Sequence, residues 1–308
     1  MLRAYGIRSL PLALMMLMTA PAFSWGPGGH MITAYIAYGR LNKSAKKAVD
    51  GLIAIAIDPA AITAKSLDFV NASHWPDDLR DPPYKDEFAY SFPMHFADFP
   101  FSPDHTVLPT DLPATVNVIT ALHSYVNVLK NTTDNKARAQ ALRFIIHFVG
   151  DIQQPLHCST EITGARHSGD QGGNLFIIQV GDGQGAPRAM KLHSYWDGGI
   201  GDFPKGGPAP DFAPPPLEQI PAAASRLTNK FPDKDLAWDV GPTSFEMWAT
   251  ESSRLAQDVA YAAIAPNSQP TNAYNAAALN AAQKRVVWGG YRLAALLNSI
   301  WPDDFVRE

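Results

Sequence analysis

His147 and Asp151 stand four residues apart at the end of a long apolar-periodic segment, and His157 follows six residues later. Four-residue spacing puts an imidazole and a carboxylate on one face of a helix. Pro155 does not continue a helix comfortably, so the chain turns there and His157 faces the same space from another direction. Two imidazoles and a carboxylate converging in apolar surroundings form a donor set for a divalent transition metal. A second His-x-x-x-Asp pair, His193 and Asp197, repeats the arrangement. Any one of these residues alone reads more readily as a hydrogen-bonded core histidine or a helix cap. The two pairs, with His157 between them and further His and Asp in preceding loops, favour a metal. Of the nine histidines, His30, His95, His147, His157 and His193 lie in patterned contexts. His74, His105, His123 and His167 do not, and read as surface or hydrogen-bonding residues.

The element that must position the first pair is a buried helix over 137–154. Further helices are expected over 31–40, 44–55, 62–70, 113–129, 217–229, 243–264 and 273–300. Alanines at helical spacing (Ala256, Ala260, Ala263, Ala278, Ala281, Ala282) predict close helix packing. Residues 71–110 are rich in Pro, Asp and aromatics and predict irregular loops, where site residues concentrate. Residues 169–174 form a glycine-rich turn, and 175–180 with 188–192 predict a short hairpin around 181–187. Residues 204–216 read as a Pro/Gly-rich surface loop.

The chain has 308 residues, 46% hydrophobic and 18% charged, which suits a globular protein of one large domain or two small ones. No clean boundary divides it. Residues 1–24 read as a secretory signal peptide: Arg3 and Arg8, an apolar run over 10–20, then Ala22 and Ser24 before a cut at Trp25. That run is too short to span a bilayer. Losing two arginines takes the net charge from −4 to −6, so there is no long-range basic field. A polyanionic partner would need a local cationic centre, which bound metal would supply. Cys158 is the single cysteine; no intramolecular disulfide can form, and a small core thiol is expected rather than a ligand or nucleophile. Cleavage before Trp25 would free an α-amino group. That amine and the carbonyl of Trp25 could chelate a metal, with a flexible 26–29 segment bringing His30 round. The plainer reading is a glycine-rich start to a helix.

Taken in order, WGPGGH at 25–30, HWPDDLR at 74–80, HFAD at 95–98, HFVGDIQQPLH at 147–157, GDQGGN at 169–174 and LHSYWD at 192–197 carry a resemblance. The sequence resembles the S1/P1 nuclease family, zinc-dependent single-strand nucleases and 3′-nucleotidases. The motifs cover the first two-thirds of the mature chain; beyond Pro204 only general helical character is shared. The resemblance implies a mainly α, single-domain multi-helix bundle of the zinc phospholipase C / P1 nuclease type over 25–308, with a small β-hairpin near 175–192. It implies three zinc ions. Asp77, His95, His147 and Asp151 would hold the first. His157, His193 and Asp197 would hold the second. The Trp25 amine and carbonyl with His30 would hold the third, bridged to the first by Asp151. Arg80 and Asn174 match family positions at the phosphate, Phe96 one that stacks a nucleobase, and Asp98 one that hydrogen-bonds its edge. A surface salt bridge to Asp78 or Asp81 competes for Arg80, and loop capping for Asp98. The expected activity is hydrolysis of RNA and single-stranded DNA to 5′-phosphorylated products, with 3′-nucleotidase activity, by a secreted or periplasmic monomer with no membrane partner. The competing enzyme class is a zinc-dependent phospholipase C, whose members carry a glutamate where Asp197 stands and space the first histidine differently. A non-catalytic zinc-stabilised protein is the third class.

Overall fold

The computed structural model describes residues 25–59, 67–181, 186–207, 213–236 and 241–303. The leader read from the sequence lies outside them. Helix α1, Pro27–Tyr38, starts four residues earlier than its pattern suggested, with Pro27 in the first turn, where a missing N–H costs nothing. Residues 26–29 are therefore not a flexible hinge. Gly28 and Gly29 are needed for close approach: a Cβ on Gly28 would lie 2.1 Å from the Pro204 carbonyl oxygen, and one on Gly29 2.8 Å from Trp25 Cβ.

Helix α2, Lys43–Ile53, is capped by the Asn42 side chain, which accepts from the Ala45 N–H. Of the helix expected over 62–70, residues 62–66 lie outside the described residues and 67–70 are bends and turns. The stretch 71–95 is more ordered than its composition suggests. It forms a 3₁₀ turn Asn71–His74, a helical turn Trp75–Asp78 and a 3₁₀ segment Ala89–His95.

Helix α3, Val118–Asn131, begins at a reciprocal capping box between Asn117 and Thr120. Helix α4, Asn135–Asp151, is capped by Asp134, which accepts from Lys136 N and Ala137 N. It stops three residues short of the expected end. Pro155 biases the residue before it away from helical geometry, and Gln154 is extended at φ −78°, ψ 118°. A 3₁₀ turn, Pro155–Cys158, follows.

A two-residue parallel ladder, β1 Pro100–Phe101 with β2 Thr160–Glu161, is too short to leave any periodicity in the sequence. The expected hairpin is present: β3, Ile177–Val180, pairs antiparallel with β4, Arg188–Lys191. Then come α5, Leu192–Asp197, and α6, Ile220–Lys230. Helix α7, Phe245–Leu255, runs into a π-helical turn Ala256–Ala260 and ends before the expected Ile264. Ala263 is exposed with φ 56°, so it packs no helix; Ala256, Ala260, Ala278, Ala281 and Ala282 are buried as expected.

Helix α8, Asn272–Ile300, crosses two apolar clusters. One gathers α3, α4, α7 and Leu293–Leu297 of α8; the other gathers α1, α5, α6 and the stretch Tyr274–Tyr291. Helix α1 lies tightly on α8, where a Cβ on Gly290 would come within 2.7 Å of Ile36 Cβ. No helix among the described residues is long and apolar enough to cross a membrane.

Candidate metal centre

Helix α4 delivers His147 and Asp151 from one face, both fully buried. His147 Nε2 lies 3.1 Å from Asp151 Oδ2, 3.6 Å from Asp77 Oδ1 and 3.0 Å from His95 Nδ1. Asp77 comes from the turn after Trp75, and His95 ends the 3₁₀ segment before β1. His95 Nδ1 is 3.0 Å from Asp151 Oδ2. From α1, His30 Nε2 reaches Asp151 Oδ1 at 3.4 Å, and its ring stacks on that of His147 at 4.1 Å. Gly150 makes that approach possible: a Cβ there would sit 2.5 Å from His30 Nδ1. The turn at Pro155 aims His157 towards His193, whose ring centroid is 4.9 Å away. His193 Nε2 is 3.6 Å from Asp197 Oδ2. Three buried donor groups result: His30/His147/Asp151, Asp77/His95/His147 and His157/His193/Asp197, each with its donor atoms within 4.8 Å of one another.

Backbone carbonyls fix how three of these imidazoles present themselves. His147 Nδ1 donates to the Ser73 carbonyl at 2.7 Å, His157 Nδ1 to that of His95 at 2.9 Å, and His193 Nδ1 to that of Gly172 at 2.6 Å. A carbonyl can only accept, so each Nδ1 carries the proton and each Nε2 is directed at the cluster. Metal-binding histidines are oriented in the same way.

The electrostatics also call for a cation. Asp77, Asp151 and Asp197 are buried together, and Arg80 is the neighbouring guanidinium. Burial pushes Asp197 well above the usual carboxylate range; the Gln154 amide opposes this and does not offset it. Burial also raises Asp151 and Asp77, but charged His147 outweighs it and both carboxyls are held below their usual range. Burial lowers His157 to about 3 and His30 and His95 to about 4, which keeps these rings neutral, as ligation requires. His147 is the exception. Burial lowers it, but Asp151 and Asp77 carry it up to about 9, so its proton supplies positive charge that a metal would replace. Among the described residues, Asp197 Oδ2 and His95 Nε2 are buried without a hydrogen bond. The donor set therefore fits divalent metal.

Of the remaining sequence-predicted residues, Arg80 and Phe96 contact the donor groups directly. Arg80 is 8% exposed and donates to Asp77 Oδ1 at 3.4 Å, rather than pairing on the surface with Asp78. Asn174 is buried; its Nδ2 donates to the Gln171 carbonyl at 2.8 Å, and its Oδ1 has no hydrogen bond among the described residues. Gly172 and Gly173, with φ of 61° and 81°, do allow close backbone approach, but the space is filled by the protein itself: a Cβ on Gly172 would strike the Leu156 carbonyl at 2.2 Å. Phe96 is half-buried with its ring 4.6 Å from that of His157. Asp98 is half-buried, and burial followed by the charge of Asp170 raises it to about 7. Trp25 is fully buried against Phe203, and Gly26 N donates to the Asp197 carbonyl at 2.8 Å, which sets the Trp25 end beside the second histidine pair. Cys158 is a buried free thiol, as expected.

Sequence reasoning passed over several residues behind the donors. Gln154 Nε2 donates to Asp197 Oδ1 at 2.9 Å. Arg292 donates to the Gln153 side-chain oxygen at 2.9 Å and Arg285 to the Gln153 carbonyl at 3.0 Å. The C-terminal helix, which carries no motif, thus grips the segment between Asp151 and His157. Two adjacent glutamines after Asp151 were the only signal available.

Known proteins similar to this chain are nucleases by name. The chain is 27% identical to Endonuclease 2 of Arabidopsis thaliana, over 90% of each chain. It is 24% identical to Nuclease P1 of Penicillium citrinum, over 92% of this chain and all of that one. It is 27% identical to Nuclease S1 of Aspergillus oryzae, over 65% of this chain and 63% of that one. The family model described as S1/P1 Nuclease matches residues 25–302, a span that takes in all three donor groups and the C-terminal helix behind them, and the chain belongs to that family.

Proposed function

We propose that this chain is an exported, zinc-dependent phosphodiesterase that hydrolyses RNA and single-stranded DNA to 5′-phosphorylated products and removes the phosphate from 3′-nucleotides. The observation that carries the reading is the meeting of three buried His/Asp groups around His147 and Asp151, with the rings of His147, His157 and His193 held by backbone carbonyls. Relatives named as nucleases support the reaction class. Three zinc ions are assigned as the motifs suggest: Asp77, His95, His147 and Asp151 for one; His157, His193 and Asp197 for another; His30, Asp151 and the Trp25 amine and carbonyl for the last. Bound divalent zinc lowers the pKa of water from ~15.7 toward ~7 and polarises phosphoryl oxygens.

The chain's own residues have distinct tasks. Arg80, held against Asp77, binds the phosphate through two guanidinium N–H groups. Asn174, anchored by Gln171, offers its unused Oδ1 as an acceptor in the same space. Phe96 stacks a base, a contact worth ~1–3 kcal/mol that every base can make. Stacking needs an unstacked base, which selects single strands without sequence readout. Asp98, protonated until about pH 7, can both donate to and accept from a base edge. Export rests on the signal-like pattern of residues 1–24. A monomer is expected.

The test is to strip the mature chain with a chelator, reload it with zinc, and assay denatured DNA, duplex DNA, RNA, a 3′-nucleotide and phosphatidylcholine. The reading requires activity on RNA, denatured DNA and the 3′-nucleotide that chelation abolishes and zinc restores. Cleavage of phosphatidylcholine alone would replace it with a phospholipase, and indifference to chelation would remove the metal.

A further inference from the structure

Gln154 makes two bonds with one buried amide. Its Oε1 accepts from the Leu156 N–H at 2.6 Å and caps the turn Pro155–Cys158, which aims His157. Its Nε2 donates to Asp197 Oδ1 at 2.9 Å. The side chain is fully buried. Its donation uses one oxygen of the Asp197 carboxylate; the other, Oδ2, lies beside His193 Nε2 and has no hydrogen bond among the described residues. One residue therefore touches both Asp197 and the turn that carries His157. It sits in a segment that is itself held by Arg285 and Arg292 through Gln153.

We infer that Gln154 is the positioning residue of the second metal centre: its amide presents Asp197 Oδ2 to the ion while its carbonyl oxygen fixes the direction of His157. The inference rests on the metal reading above. Groups that orient metal ligands change affinity by on the order of 10- to 100-fold when removed.

Gln154→Glu separates the two bonds. A glutamate keeps an oxygen for Leu156 N–H and so preserves the turn cap. It places an anion, in place of a donor, against the Asp197 carboxylate. Metal stoichiometry and affinity are measured by competition with a chromophoric chelator, and cobalt substitution reports each centre by its visible absorption. The folded Gln154→Glu protein should lose one equivalent selectively, with on the order of 10- to 100-fold weaker binding at that centre and the other two unchanged. Gln154→Met, uncharged and unable to donate, carries the same prediction if the glutamate variant does not fold. Equal stoichiometry and affinity in a folded variant would overturn the inference, as would uniform weakening at all centres, which is what a merely structural role produces. A wild-type chain that takes up no zinc or cobalt would overturn the metal reading, and this inference with it.

Discussion

His147 faces Asp77, His95 and Asp151 from one nitrogen while the other is committed to the Ser73 carbonyl. His147→Ala should therefore cost the metal assigned to Asp77, His95, His147 and Asp151 and lower nuclease activity by on the order of 100-fold. His123→Ala, at an exposed pair with Glu246, should leave both unchanged. Metal analysis of the purified proteins alongside the assay decides between them. A chain that keeps even Ser24 ahead of Trp25 should bind less zinc and be much less active; full activity would end the role given to the Trp25 amine. At this scale the site was largely legible, because ligands are side chains and their types and spacings are written in the motifs. The layer behind them was not. Ser73 and Gly172 act through backbone carbonyls, which carry no residue identity. Gln154 stood in plain view, but its partner lies 43 residues further on, and only the fold brings the two together.

Helix α4 illustrates what an element contributes. It needs glycine at position 150, between two donors, because the His30 ring occupies the space a side chain would take. Gly150→Ala alters no ligand, yet should displace His30 and weaken the centre shared by His30 and Asp151. The expected result is a folded protein that binds one equivalent less tightly, read by the same chelator competition. The long helices and the hairpin were legible from periodicity and turn chemistry. The ends of α4 and α7 were not, since Pro155 acts back on Gln154 and the π-helical turn at Ala256–Ala260 answers to packing. The β1–β2 ladder escaped because two residues make no pattern. It ties the Phe96–Asp98 loop to the segment after His157, with Ala97 N donating to the His157 carbonyl at 2.7 Å. Near that ladder Asp98 keeps its proton to about 7, well above an unfolded value of ~3.9. The unfolded chain releases that proton first, so this group's contribution to stability falls as pH rises from about 4 to about 7, then levels off. Asp98→Asn should flatten that part of the pH–Tm curve and gain relative to wild type at pH ~8; parallel curves would show that the carboxyl carries no such cost.

For the molecule as a whole, the C-terminal helix joins the two apolar clusters and the metal centre. Arg285 reaches Gln153, Glu251, Ser252 and Trp248 from a position that is 3% exposed. Arg285→Ala strands several buried polar groups and should destabilise the fold by about 3–5 kcal/mol, measured by chemical denaturation; a change below about 1 kcal/mol would mean that water replaces the guanidinium. None of this was legible in the sequence, where residues 272–300 show only helical character. Cys158 closes the turn that aims His157. Its thiol is fully buried, lies 3.7 Å from the Ile152 carbonyl, and is raised by burial far above the range in which thiolates form. An alkylating reagent can reach it only when that turn comes apart. The rate of iodoacetamide labelling then becomes a clock for local opening beside the second histidine pair, readable by mass spectrometry with no substrate present. Zinc should slow that clock, and chelation should speed it before the helices melt.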